Sequence, residues 1–180
     1  MSEFLVSFSE KAPWLLWMLL ITGVLVVLRI CWLMAWTFVR HCLRCQQSLD
    51  KYKGTDSWVL VTGGSDGIGL AICHEMAAHG FNICMVARNA EKMDEKLKEV
   101  QAKNTVKTRA LVFDFNEHTT IDKYQELIAD KVRDIDVAMV YLNAGFGQPG
   151  AFDKVTCDNV QSIVSVNVLQ LIYCAKVMTP

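Results

Sequence analysis

The sequence predicts an α/β fold: a doubly wound parallel sheet, with its first four strands present, preceded by an N-terminal transmembrane helix or hairpin. Three observations predict it. Between Trp58 and Met178, apolar runs of strand length alternate four times with stretches of helical periodicity. A glycine-rich turn, Gly63-Gly64-Ser65-Asp66-Gly67-Ile68-Gly69, joins the first run to the first helical stretch. The 28 residues from Ala12 to Val39 hold one charge, Arg29.

Composition narrows the function. With 18 Lys+Arg against 19 Asp+Glu, the net charge is −1. Nucleic acid is therefore not an expected partner, because phosphate binding needs a concentrated positive field. At 52% hydrophobic the chain is too apolar for disorder. Seven cysteines, an odd number without repeating spacing, argue against a disulfide framework and for a reducing compartment.

The N-terminal segment is long enough to cross a hydrocarbon layer of about 30 Å with tilt. A secretory signal has a shorter apolar region and a small-residue cleavage site. A buried soluble helix is the alternative, but Trp14, Trp17, Trp32 and Trp36 sit near the two ends as interfacial belts do. A guanidinium at mid-bilayer costs about 2.5–3.5 kcal/mol. Arg29 is therefore expected to snorkel from a single helix or to sit near a surface in a bent hairpin. Lys11 stands on one side, and Arg40, Arg44, Lys51 and Lys53 on the other, which directs the following residues to the cytosol. Residues 1–53 carry six basic and three acidic side chains, and residues 54–180 carry twelve and sixteen. The expected division is an anchor and linker over 1–53, facing anionic lipid, and a folded domain over 54–180. At the exit, His41-Cys42-Leu43-Arg44-Cys45 has no second ligand pair at finger spacing. Reduced juxtamembrane thiols, open to palmitoylation, are expected there rather than zinc.

Strands are expected at Trp58–Thr62, Phe81–Ala87, Val106–Phe113 and Ile135–Leu142. Helices are expected at Leu70–His79, stopped by Gly80, at Ala90–Ala102 with Leu97 and Val100 inward, at Thr119–Lys131 and at Asp158–Met178. In the last helix Val166, Leu169, Ile172 and Tyr173 fall at helical spacing and form its expected packing face. The strand order should be 3-2-1-4, with the fourth strand at an edge.

The glycine turn carries the most chemistry. Gly63 permits a tight turn, Gly67 lets backbone approach a diphosphate, and Gly69 allows close helix–strand contact. Free N–H groups and the dipole at the helix start would hold the phosphates. An acid that binds a ribose 2′-hydroxyl usually ends the second strand; here Ala87-Arg88 stands there. Arginine pairs with a 2′-phosphate through its fork of donors, which favours NADPH/NADP+ over NAD, the alternative being a solvated surface arginine.

Thr62-Gly63-x-x-x-Gly67-Ile68-Gly69 resembles the cofactor signature of the short-chain dehydrogenase/reductase family, and three further residue sets agree with it. Asp114 resembles the acid that binds the adenine amino group. Asn143-Ala144-Gly145 resembles the segment beside the cofactor ribose. Asn167-Val168 resembles the asparagine of the catalytic tetrad. The resemblance runs from Trp58 to the last residue and implies a Rossmann-type fold. Its coenzyme residues would be Gly63, Ser65, Asp66, Gly67, Ile68, Gly69, Arg88, Asp114, Asn143, Ala144 and Gly145.

Within the family, Ser65-Asp66-Gly67-Ile68-Gly69 after a Trp-led strand and Val106-Lys107-Thr108-Arg109 leading to Asp114-Phe115 resemble membrane-anchored very-long-chain 3-oxoacyl-CoA reductases and related hydroxysteroid dehydrogenases. Thr179-Pro180 on the last helix fits as well. Leu142 departs from the family's frequent second Asn, and Ala144 from the Val common in the acyl-CoA reductases. The resemblance implies NADPH-dependent reduction of a lipid carbonyl, an acyl-CoA or a steroid, at the endoplasmic reticulum with the domain in the cytosol. It also implies a homodimer through the last helix. Alternatives are hydroxysteroid or 3-ketodihydrosphingosine reduction, or a non-catalytic membrane-anchored dinucleotide-binding protein.

Family chemistry needs a Tyr-x-x-x-Lys pair and a serine. Four residues after Tyr52, Tyr124, Tyr141 and Tyr173 stand Asp56, Ile128, Gly145 and Val177, so the pair is not in these 180 residues. The chain is expected to be the front half of such a reductase, inactive alone, with Asn167 as its one tetrad residue. No metal site is expected.

Overall fold

A computed structural model describes residues 13–43 and 48–179, so the parts of the sequence reading that fall on Lys11, Arg44 and Cys45 lie outside the described residues. The chain divides into two compact units after Ser48.

In the first unit, helix α1 (Pro13–Phe38) runs without a break into a single π turn over Val39–Leu43. It is one continuous helix and not a hairpin. The apolar helical stretch from Pro13 to Cys42 is 30 residues with no buried position, long and apolar enough to cross a membrane. Its polar side chains are partly satisfied within the helix. Thr22 and Thr37 donate to the carbonyls of Met18 and Leu33 at 2.6 and 2.7 Å.

The second unit is built on strands β1 (Ser57–Thr62), β2 (Asn82–Ala87), β3 (Thr108–Val112) and β4 (Asp136–Leu142). They pair in parallel in the order β3-β2-β1-β4. β1 and β2 are buried along their whole length, which is why they read as continuous apolar runs; β4, at the edge, is half-buried.

The strand period of two sorts the core into two layers. Val59, Val61, Ile83 and Met85 face one side, packed on Cys73, Met76 and Ala77 of α2 (Gly67–Ala78) and Met93, Leu97 and Val100 of α3 (Ala90–Lys103). Trp58, Leu60, Cys84 and Val86 face the other, packed on Phe113, Phe115, Tyr124, Ile128 and Cys174. Leu49 packs on the first layer, and Lys53 Nζ donates to the His79 carbonyl at 2.8 Å, so residues after Ser48 belong to the folded unit. At the outer strand, Arg109 grips Asp134 with both terminal nitrogens at 2.6 and 2.7 Å and covers the Trp58 ring.

Three elements differ from the sequence expectation. Helix α2 begins at Gly67, three residues earlier than the apolar pattern suggested, because Asp66 caps it and accepts from Gly67 N–H. The stretch expected as one helix over Thr119–Lys131 is a short α segment α4 (Ile121–Tyr124), a π turn (Gln125–Ala129) and a 3-10 turn (Asp130–Val132). The last helix, capped by Thr156, is α5 (Cys157–Val164) and α6 (Gln170–Met178) joined by a π turn over Ser165–Leu169. The wider turn rotates the following residues. Ser165, Gln170 and Cys174 are therefore the buried positions, while Val166, Leu169 and Tyr173 are half-buried and Ile172 is 56% exposed.

Candidate functional site

The functional geometry begins where β1 ends. Gly63 adopts φ +65° and Gly67 φ +51°, backbone conformations that L side chains rarely take. Between them the chain turns sharply into α2. A Cβ on Gly69 would overlap the carbonyl oxygen of Gly63 and lie 2.6 Å from Asn143 Nδ2, so its glycine is what lets the helix start against the strand end. A Cβ on Gly67 would meet nothing within 4 Å, which leaves this backbone open on one side. The first helical hydrogen bond joins Leu70 N–H to the Asp66 carbonyl at 3.2 Å. The N–H groups of Ile68 and Gly69 precede that bond and have no helical acceptor. An anion is the ligand such a helix start favours.

This turn forms one wall of a cleft of about 630 Å³. All four strands contribute from their carboxyl ends. Gly63, Ser65 and Asp66 follow β1, Ala87, Arg88 and Asn89 end β2, Phe113 to Asn116 follow β3, and Ala144, Gly145 and Phe146 follow β4; Ser162 and Val166 close the side next to α5. Ligands of open parallel sheets bind at this edge.

Among the described residues of the cleft lining, one ion pair joins two of the charges, Asp66 and Lys92, while Asp114 and Arg88 have no ion-pair partner. Lys92 Nζ lies 2.6 Å from Asp66 Oδ2, and that hydrogen bond, helped by the Gly67 N–H, holds the Asp66 carboxyl below the usual carboxylate range. Asn89 caps α3 by accepting from Lys92 N–H at 2.9 Å, which fixes the helix start carrying that lysine. Asp114 accepts from Asn116 N–H at 2.8 Å through one carboxylate oxygen. Arg88 is exposed at the rim, and its guanidinium makes no hydrogen bond or ion pair among the described residues.

Residues 143–146 are tied down from behind. Asn143 donates from its side chain to the carbonyls of Thr62 and Gly63 at 3.3 and 3.4 Å, stitching β4 to the glycine turn. The Thr62 hydroxyl accepts from the N–H groups of Asn143 and Ala144, each at 3.0 Å. Asn167 takes both backbone groups of Phe146, accepting from its N–H at 2.8 Å and donating to its carbonyl at 2.7 Å.

The chain matches the family model described as short chain dehydrogenase over residues 57–180. The chain belongs to this family. Among curated relatives, a very-long-chain 3-oxoacyl-CoA reductase of Pyricularia oryzae is 36% identical over 136 residues, covering 74% of this chain and 40% of the relative. One of Aspergillus clavatus with the same name is 34% identical over 150 residues, covering 80% and 43%. The chain thus spans well under half the length of these relatives. Among solved structures, a bulky-bulky ketone specific alcohol dehydrogenase from Comamonas testosteroni superposes with TM-score 0.60 at 25% identity, over 67% of this chain and 47% of that one. A short-chain dehydrogenase from Sphingobium yanoikuyae, in complex with NADPH, shares the fold with TM-score 0.62 at 24% identity, over 69% and 48%.

For a short-chain dehydrogenase, the sequence-predicted residues fall into two groups. Gly63, Ser65, Asp66, Arg88, Asp114, Ala144 and Gly145 line the cleft. Gly67, Gly69, Asn143 and Asn167 stand outside the lining and shape it, and the Ile68 side chain is 75% exposed, leaving its backbone N–H as the group on offer. Two residues went unnoticed in the sequence. Lys92 reads as part of a solvated charged face, although it stands three after Asn89, whose cap fixes it in the first turn of α3 next to the end of β2. Gln170 reads as a break in an apolar run, although it follows Asn167 by three.

Proposed function

We propose that this chain is the coenzyme-binding part of a membrane-anchored, NADPH-dependent reductase of a lipid carbonyl, with 3-oxoacyl-CoA of very-long-chain fatty acid elongation as its substrate class. The observation that carries the reading is the cleft at the carboxyl edge of the sheet, lined both by the glycine turn and by Arg88, whose guanidinium is unpaired among the described residues. The residues fit a nicotinamide dinucleotide. Ile68 and Gly69 offer free N–H groups and Gly67 an open backbone to a diphosphate. Arg88 offers a fork of donors to a 2′-phosphate. Asp114 offers a carboxylate to the adenine amino group, and Asn143, Ala144 and Gly145 shape the ribose wall. Asn167 sets the position of Phe146. When bound, the nicotinamide would supply a hydride to a carbonyl carbon. Binding and orienting that coenzyme is the work of the residues named.

The substrate class rests on the names of relatives 34–36% identical. The apolar helix α1 and the basic residues after it support an anchor in the endoplasmic reticulum membrane with the folded unit in the cytosol. Exposed Val164, Val168, Leu171 and Ile172 on the last helix support a homodimer formed through it in the complete reductase.

The test is reduction by the gene product that carries a Tyr-x-x-x-Lys pair. NADPH consumption is followed with a long-chain 3-oxoacyl-CoA, a ketosteroid and 3-ketodihydrosphingosine in turn. Turnover of the acyl-CoA well above the others supports the reading. Preference for another carbonyl replaces the substrate class, and turnover of none removes the enzyme.

A further inference from the structure

We propose that Gln170 is a positioning residue for the coenzyme cleft, acting through the Thr62 hydroxyl on the segment Asn143–Phe146. The inference rests on the dinucleotide-binding reading and extends it to a residue outside the cleft lining.

Gln170 is fully buried, and its Nε2 donates to Thr62 Oγ1 at 3.0 Å. Thr62 is the last residue of β1 and is equally buried. Three N–H groups therefore converge on one hydroxyl: the backbone of Asn143, the backbone of Ala144 and the side chain of Gln170. A hydroxyl has two lone pairs, so the three donors share two acceptor sites on Thr62, and its proton is left the carbonyl of Tyr141 at 3.4 Å. The result is a knot joining β1, the end of β4 and helix α6.

The helix delivers a second tie. Asn167, three residues earlier, holds both backbone groups of Phe146. The segment that lines the cleft as Ala144, Gly145 and Phe146 is thus held at its start through Gln170 and Thr62, and at its end by Asn167. The π turn over Ser165–Leu169 is what makes this possible. Its extra residue spaces the buried positions as Ser165 and Gln170, five apart, instead of three or four. Without it Leu169 would face the core.

Packing alone does not explain Gln170. Its Oε1 is buried without a partner among the described residues, a cost that methionine or leucine would not carry in the same space. What an apolar side chain lacks is the hydrogen bond to Thr62, together with a long one to Cys174 Sγ at 4.0 Å within the same helix.

The experiment uses the full chain in detergent micelles, with NADPH titration and thermal unfolding measured on the same samples. Gln170→Met should keep its Tm near that of the unsubstituted chain while binding NADPH about tenfold more weakly, the loss expected when a buried hydrogen bond stops holding a site. Thr62→Val should weaken binding at least as much, and Thr62→Ser should restore it. The double variant Gln170→Met/Thr62→Val should be no weaker than Thr62→Val alone, because the two residues act in series. Unchanged affinity in Gln170→Met, or losses that add independently in the double variant, overturn the inference. Loss of the fold in both Gln170→Met and Gln170→Leu overturns it too, since the amide would then serve the core. If the unsubstituted chain binds no NADPH, the dinucleotide reading itself fails and takes the inference with it.

Discussion

Replacing Gly69 with alanine sets a methyl group against backbone that cannot yield. The added Cβ would overlap the Gly63 carbonyl oxygen, lie 2.9 Å from its carbonyl carbon, and lie 2.6 Å from Asn143 Nδ2. Ordinary contact begins near 3.4 Å, so α2 must withdraw from β1 by about 1 Å or more to clear the Gly63 carbonyl oxygen. That withdrawal loosens Cys73, Met76 and Ala77 from Val59 and Val61. Overpacking of this kind costs about 1–3 kcal/mol, with the upper end expected when the obstacle is main chain. Alanine returns about 1 kcal/mol of helix propensity at most. The clash wins, and a net loss of about 2 kcal/mol should lower Tm by roughly 6–8 °C for a folded unit of this size. Gly67→Ala is the matched control. It has the unfavourable φ of +51° but open space around the new methyl, so its cost is limited to about 1 kcal/mol of backbone strain. Thermal unfolding of both variants by circular dichroism compares them directly. A Gly69→Ala protein that melts at or above the unsubstituted one, or above Gly67→Ala, would refute the close helix–strand approach on which the site is built.

Other substitutions address the cleft itself. Arg88→Asp should shift affinity from NADPH towards NADH by at least tenfold, measured as the ratio of the two dissociation constants; an unchanged ratio removes the 2′-phosphate role. Lys92→Met frees the Asp66 carboxylate beside the glycine turn and should weaken binding of any coenzyme with a diphosphate. The same change has a signed pH effect. Asp66 titrates below its ordinary range when folded, so its contribution is present at neutral pH and lost as pH falls through that depressed value. In Lys92→Met the largest part of that contribution is gone, the Gly67 N–H share remaining, and acid unfolding should begin at a slightly higher pH, read from the midpoint of an acid titration. Burial raises the thiols of Cys73, Cys84 and Cys174 to about 12. Alkylation followed by mass spectrometry should therefore label exposed Cys157 in the native protein and those three only after denaturant. Native labelling at Cys84 would contradict the two-layer core.

The parallel sheet was legible because its inner strands have no polar face. Val59 to Val61 and Ile83 to Val86 are apolar at every position, and only burial on both sides explains that. The glycine turn was legible because Gly63, Gly67 and Gly69 answer to separate demands; the positive φ at Gly63 and the close approach of Gly69 to Gly63 and Asn143 match the tight turn and the helix–strand contact. Arg88 and Asp114 stand at strand ends, where counting alone puts them at the cleft.

The remainder depends on features a helical period of 3.6 does not encode. The π turn over Ser165–Leu169 put Gln170 and Cys174 at fully buried positions; of the expected face, Val166 and Tyr173 still pack on the core, while Ile172 is exposed. Between Ile121 and Val132 the burial of Tyr124, Ile128 and Val132 is kept while the backbone passes through three kinds of turn. Lys92 and Gln170 were hidden by composition: one lay among charges, the other among apolar residues. Their roles come from Asp66 and Thr62, distant in sequence and close in space.

Isothermal titration of the full chain with NADPH tests the account most directly. Saturable binding of one equivalent, displaced by 2′,5′-ADP and weakened in Arg88→Asp, is the expected result. An unchanged heat trace at millimolar NADPH, with the protein folded by circular dichroism, would contradict a coenzyme cleft at the carboxyl edge of this sheet.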